Sequence, residues 1–545
     1  MVGIEMEKLQ PRSENTNWPN SPFNNPVHPV AVIDVGTSSI RMAIAEIHAD
    51  GQYRTLETLS QSVSLGKDTF TRGRIGRSTI EDAVRVLRSY RKLLREYGIE
   101  RSDQIRVVAT SAVREADNRL AFLDRVFSAT GLDIQALDEA EVNRITYLGV
   151  QPLLKAKPEL AAARAIIMEM GGGSTEILVV HRGDVLYSHT FRLGSLRLRK
   201  MLDSHNESRS RERQIMRTQI GLTIEEITRH VPDADGPDDQ GVELIALGGD
   251  VRYAASQAMD HAVPEEFERI SLSHMKKLAD STLGRSVDEL VRRDHLSIPD
   301  AESLGPALLS YTLLAERLKL NHVLVCDANL RDGLLQDMAD RDAWMDDFHE
   351  QVIRSATSFG RKLQFDEDHS LHVANLSRHL FEQLQTEHEL PPRYGLILYL
   401  AALLHEIGLF IGTRGYHKHT YYLIINSELF GMSKQDLQLV ATVARYHRRS
   451  SPKPTHEMYM RQTREHRIAI SQMAAILRVA IALGRSRSRR VRELNCSIER
   501  NRIVITVPHV EELALEQLAL KQSGSLFEEI FGRPPMLRTS PLPQA

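Results

Sequence analysis

Two stretches of the chain combine acids, glycines and hydroxyls at spacings that suit phosphate. One is Asp34-Val-Gly-Thr-Ser-Ser-Ile-Arg41, and the other is Glu169-Met-Gly-Gly-Gly-Ser-Thr-Glu176. Glycine has no Cβ, so its backbone N–H approaches an anion closely. Serine and threonine hydroxyls add donors, and an acid at the end of a strand holds Mg²⁺ directly or through water. On this logic Gly36, Thr37, Ser38 and Ser39 form one phosphate cradle, and Gly172, Gly173, Ser174 and Thr175 form another. Asp34 and Glu169 are the matching metal-holding acids. A single Gly/Ser loop is more often a plain turn; two of one design argue for a shared task. The chain has no Walker A lysine motif, which excludes a P-loop NTPase.

Each cradle needs strands to hold it. Val30–Val35 and Met42–Ile47 are short apolar runs flanking the first, and Ala165–Met170 and Ile177–Val180 flank the second. The spacing predicts a helix over 79–97 and a strand over Ile105–Ala109. The hairpins lie about 135 residues apart, too far for a solenoid repeat, so a duplicated domain is expected with one hairpin in each half. A third glycine turn, Gly248-Gly249-Asp250, follows an apolar run at 242–247. From about residue 342 the pattern becomes helical and histidine-rich, and strands return near Cys496–Glu499 and Ile503–Val507.

Composition bounds the rest. The 545 residues predict about three to five domains. Lys plus Arg number 69 against 72 acids, a net charge of −3, which excludes a globally basic nucleic-acid coat. Sequence-specific nucleic-acid binding is not expected. Two cysteines, Cys326 and Cys496, make no disulfide scaffold and fit a reducing cytoplasm. Residues 1–28 read as a disordered leader without a signal-peptide core. The longest strongly apolar run, Tyr394–Leu404, is shorter than the ~20 residues that cross a bilayer, so no membrane partner is expected.

Five segments together resemble the Ppx/GppA family of exopolyphosphatases and guanosine pentaphosphate phosphohydrolases. They are the two cradles, Ala109-Thr-Ser-Ala-Val-Arg-Glu-Ala-Asp-Asn118, Leu193-Gly-Ser-Leu-Arg197 and Asn329-Leu-Arg-Asp-Gly-Leu-Leu335. The resemblance implies an α/β, actin-like (sugar-kinase-like, ribonuclease H-like) pair of duplicated domains around a cleft, followed by an all-α HD-like domain. It implies Mg²⁺-dependent hydrolysis of a terminal phosphoanhydride of polyphosphate or pppGpp, and it suggests a homodimer. Thr37, Ser38, Ser39 and Arg41 then match phosphate contacts, Arg114 an arginine that grips the substrate, and Glu176 a catalytic acid. Guanidinium groups suit the role because they bind phosphate oxygens bidentately. The implied division is a leader over 1–28, domain I over 29–147, domain II over 148–341, a helical domain over 342–492 and a small mixed segment over 493–545.

The chain departs from the family where water is activated. Anchoring on Arg144, Tyr147 and Gly149 puts Val142 where the family places its glutamate base. Valine takes no proton, and Glu141, one residue away and about 100° around a helix, substitutes only if the backbone rotates. Glu169 stands where aspartate is usual, and Thr37-Ser38 where Ser-Asn is usual. In the helical region, Leu400-Ala-Ala-Leu-Leu-His-Glu-Ile-Gly408 resembles an HD metal block, with His369 and His405 in place but Glu406 for aspartate. The last aspartate is replaced by Ile481 or Gly484, so a degenerate site is expected. Arg485, Arg487, Arg489, Arg490 and Arg492 form a basic run, read as a solvated loop or a polyphosphate track. Two functions follow: a hydrolase with an intact cradle, or a sensor of polyphosphate, pppGpp or guanosine tetraphosphate that binds without turnover. A sugar or acetate kinase on the same fold fits less well.

Overall fold

The computed structural model describes residues 28–540, apart from 49, 204–208, 232–240, 259–266, 340–343, 449 and 511. The expected leader, save His28, and the last residues of the chain lie outside the described residues. The first sheet holds strands His28–Val35, Ser39–Ile47, Tyr53–Ser62, Ile105–Ala109 and Ile134–Ala136, in spatial order third, second, first, fourth, fifth. Arg164–Met170, Thr175–His181, Asp184–Phe191, Val242–Leu247 and His322–Val325 repeat that order in the second sheet, and Glu268–Ser271 adds an edge. The first strand of each half is apolar along its middle, up to its strand-end acid, because helices cover both its faces; Ala31, Val32, Ile33 and Val35 are fully buried.

The register makes the halves equivalent at the cleft. Asp34 stands opposite Val108 on the parallel fourth strand, and Glu169 stands opposite Leu247 on its own fourth strand. Each acid is thus the penultimate residue of the first strand, one step before a tight turn.

The helix Glu139–Ala156 joins the halves, so the expected boundary between 147 and 148 falls inside it. Its first turns place Val142 and Ile145 in a cluster with Val30 and Val32 of the first sheet. Its later turns place Tyr147 and Val150 against Ala165 and Ile167 of the second. The helix Leu330–Ala339 returns to the first sheet through Leu330, Leu334 and Leu335. The first domain is therefore discontinuous and includes residues assigned by sequence to domain II. The two helices meet through glycines: a Cβ on Gly333 would stand 1.9 Å from the Ile145 carbonyl oxygen, and one on Gly149 would stand 3.0 Å from that of Asn329.

Helices from Trp344–Lys362 to Arg464–Leu483 build the third unit. Its core runs on into the strands Asn495–Glu499, Arg502–Pro508 and Pro535–Ser540, because Ile503, Ile505, Val507 and Leu537 pack in the same cluster as Leu400 and Ile476. The 493–545 segment is thus part of the helical unit rather than separate. Arg393–Phe410 and Arg464–Leu483 are apolar and long enough to cross a membrane, but 67% and 78% of them are buried inside this core. Protein burial alone accounts for that composition.

Candidate active site

The two turns have one hydrogen-bond pattern. Gly36 N–H donates to the Ser39 carbonyl at 3.0 Å, and Gly171 N–H donates to the Ser174 carbonyl at 2.8 Å. Their tips touch, since a Cβ on Gly172 would lie 2.7 Å from Thr37 Cγ2. Gly194 clamps the second turn from behind, and Leu196 N–H donates to the Gly172 carbonyl at 3.0 Å. Tyr311 ties the strand ends below: Met170 N–H donates to its hydroxyl at 2.8 Å, and that hydroxyl donates to the Leu247 carbonyl at 2.7 Å.

Between the turns lies a polar cleft of about 150 Å³, lined by Asp34, Gly36, Thr37, Ser38, Ser39 and Arg41 from one half and by Glu169, Gly172, Ser174 and Glu176 from the other. These sequence-predicted residues are brought together. Four others are not among the lining residues. Thr175 is fully buried, and its hydroxyl donates to the Leu193 carbonyl. Gly173 is packed under Phe70, whose ring would stand 2.2 Å from a Cβ there. Arg114 donates to the Leu137 carbonyl at 3.0 Å, although its charge still reaches Glu176.

Glu141 is the fourth correction, and the helix period explains it. Asp138 caps the helix by accepting from Glu141 N–H at 2.9 Å. That phase turns Val142 into the cleft and turns Glu141 to Arg106, at 3.4 Å. No carboxylate of this helix is among the residues that line the cleft.

Sequence reasoning passed over Asp250, Arg252 and Arg331, which also line the cleft. The signal was present in the third glycine turn and in the Asn329–Leu335 segment, but neither shows by itself that it faces the cradles. Arg252 has a buried Nη1 without a hydrogen-bond partner, a donor waiting for an anion.

The electrostatics are those of crowded, buried acids. Burial pushes the Asp34 carboxyl up, against the pull of Arg41 and Arg331. Burial also raises Glu169, with the nearby Asp34 charge adding to it. Glu176 is pushed up to about 7 by burial and by Glu169, although Ser174 Oγ donates to it at 2.6 Å. Asp250 is raised to about 6 by burial, while Ser303 donates to it at 2.8 Å. Asp34 Oδ1 is buried and has no hydrogen-bond partner. An unpartnered carboxylate oxygen beside a second strand-end acid fits a hard divalent cation, which takes one or two carboxylates and completes its shell with water and phosphate oxygens.

A set of arginine contacts ties the two halves together. Arg197 Nε donates to the Gly173 carbonyl at 2.5 Å and its guanidinium pairs with Glu115 of the first domain, which Arg192 also reaches at 2.7 Å. The Arg197 guanidinium lies 4.2 Å from the centre of the Phe70 ring.

The fold and the cleft define an actin-like protein of two halves with paired glycine turns. The family model for the Ppx/GppA phosphatase family matches residues 32–342, and that for Ppx/GppA phosphatase domain III matches 353–526. The chain belongs to the Ppx/GppA phosphatase family. It is 24% identical over 483 residues to a guanosine-5'-triphosphate,3'-diphosphate pyrophosphatase of Vibrio atlanticus, covering 88% of this chain and 91% of that one. A protein of the same name from Photobacterium profundum is 24% identical over 514 residues, covering 92% and 96%. Among solved structures, an exopolyphosphatase of Cytophaga hutchinsonii is similar at 22% identity and a TM-score of 0.49, covering 58% of this chain and 98% of that one.

Proposed function

We propose that this protein hydrolyses the terminal phosphoanhydride of inorganic polyphosphate or of pppGpp. The observation that carries the reading is the pair of mirrored turns meeting at Thr37 and Gly172 over buried acids and the partnerless Nη1 of Arg252. Backbone N–H groups and the hydroxyls of Thr37, Ser38, Ser39 and Ser174 bind the terminal phosphate. Arg41, Arg252 and Arg331 take the charge of the following phosphates. Asp34 and Glu169 would hold Mg²⁺ or another divalent cation, which when bound neutralises phosphate charge. Water attacks the terminal phosphorus, the bond from phosphorus to the bridging oxygen breaks, and inorganic phosphate leaves with the shortened chain. Glu176 takes the proton from that water in this reading, which its position in the cleft wall and its raised pKa support.

Phosphate release from polyphosphate and from pppGpp tests this directly. Release no greater than that of Gly172→Arg, whose side chain fills the junction of the turns, would sink the proposal.

One observation favours a second reading. Val142 occupies the cleft wall where the family base is expected, and Glu141 is held by Arg106. A sensor of the same ligands would bind without turnover. Calorimetry that detects micromolar binding of pppGpp or polyphosphate, alongside no phosphate release, would favour it.

A further inference from the structure

A cavity of about 420 Å³ lies where the helical unit meets the actin-like halves. It shares no lining residue with the cleft. It is also distinct from the HD-type residues His369, His405 and Glu406, whose donor atoms do lie within 4.8 Å of one another. Three segments wall it: the first turns of helix Glu139–Ala156, the strand Asp184–Phe191, and residues 425–438, which run into helix Lys434–Arg445.

Several of its polar groups already have partners across the joint. Lys434 N–H donates to Asp138 Oδ2 at 3.2 Å, and His189 Nδ1 lies 2.7 Å from Glu428 Oε1. The helical unit adds apolar side chains, of which Leu429, Met432 and Leu437 are buried.

Asn143 is left with an open donor. It is 2% exposed and lines the cavity. Its Oδ1 accepts from the Thr190 hydroxyl at 3.5 Å, and its Nδ2 donates to no described residue. A buried amide N–H without an acceptor is costly until something takes the bond. Glu139 stands one helical turn earlier, on the same face. Its pair with Lys434 Nζ at 3.5 Å is loose, because the Lys434 side chain is 80% exposed. The cavity thus combines a carboxylate, an amide donor, an ammonium group and an apolar wall.

We propose that this cavity binds a free α-amino acid with an apolar side chain. The ligand's ammonium meets Glu139, and its carboxylate meets Asn143 Nδ2 and Lys434 Nζ, each a charge-assisted contact. Its side chain lies against Leu429, Met432 and Leu437. The volume suits one small molecule. Asp138, Glu139 and Glu428 outnumber Lys434 and His189 around it, so a polyphosphate meets net like charge there, whereas a zwitterion answers both signs. The site is separate from the cleft but shares its supports. Val142, the residue before Asn143, lines the cleft, and Thr190 stands opposite Glu176 in the second sheet.

The test is calorimetry and thermal melting of the full chain with L-leucine and L-methionine, without any phosphate compound. One equivalent should bind, and the melting temperature should rise with ligand concentration. N-acetyl-L-leucine lacks the ammonium and L-leucinamide lacks the carboxylate. Each should bind at least about tenfold more weakly than L-leucine, and so should L-leucine to Glu139→Gln or Asn143→Ala. The Glu139 side chain is 38% exposed, so its variant decides the matter even if Asn143→Ala folds poorly. No binding of either amino acid at about 1 mM, N-acetyl-L-leucine binding as tightly as L-leucine, or a Glu139→Gln affinity equal to wild type would each overturn the site. Phosphate release is not a readout, so the outcome is independent of the cleft's activity.

Discussion

Val142 lines the cleft and has no group that takes a proton. If Glu176 serves instead, it serves from the opposite half of the cleft and with a pKa near 7. Val142→Glu should then raise phosphate release by about 10²-fold, the lower end of what a positioned base contributes. An unchanged rate would place the limit elsewhere. Glu176 must be ionised to accept a proton, so kcat should rise with pH through about 7 and level off above it. Glu176→Gln should remove both the rate and that limb. Stability runs the other way. The folded carboxyl titrates above its ordinary range, so the stabilisation it gives while protonated is lost as pH rises toward and through about 7. Glu176→Gln should therefore melt increasingly higher than the wild type between pH 5 and 8. A constant difference across that range would contradict burial as the cause. Arg252→Ala should raise KM for polyphosphate by at least about tenfold, since a charged hydrogen bond to phosphate contributes about 1.5–3 kcal/mol.

At the scale of elements, the cleft depends on how closely two helices approach. Gly333 lets Glu139–Ala156 lie against Leu330–Ala339, and this contact sets where Val142 and Arg331 stand. Gly333→Ala should destabilise the protein by about 1–3 kcal/mol, the usual cost of overpacking, and should lower activity beyond what the stability loss explains. Denaturant midpoints and kinetics on the folded fraction separate the two effects. The ion pairs of Asp337 with Arg106 and Arg144 sit on the far side of the same contact, and they are what hold Arg106 where it meets Glu141. The strands and both turns were readable from apolar runs ending in glycine. The strand-like register of the halves was also implicit in the repeat. The helix crossing was not, because nothing in the local pattern of 139–156 says that its two ends serve different sheets.

At the scale of the whole molecule, the helical unit docks on the second domain through one aromatic plug and a few ion pairs. Phe430 is 2% exposed and meets the Tyr147 ring edge-on at 5.7 Å. Arg354 pairs with Asp184 at 2.7 Å, and His189 with Glu428 at 2.7 Å. Phe430→Ala should cost about 3–5 kcal/mol of docking and split thermal unfolding into two resolved calorimetric transitions. A single transition shifted as a block would show that the units unfold as one for another reason.

The sequence by itself determined the local chemistry. An acid, glycines without Cβ and hydroxyls at the end of an apolar strand can form only a few kinds of site, and two copies imply a duplicated frame. It also located the departure at Val142, because that is a matter of residue type. The tertiary structure decided which groups share one space. It set Glu141 against Arg106, buried Thr175, and tied Arg114 to a backbone carbonyl, while bringing Asp250, Arg252 and Arg331 to the cleft from turns more than 70 residues away from either cradle or from each other. Side-chain direction follows from helix phase and from packing between distant segments, and neither is encoded in the neighbours along the chain.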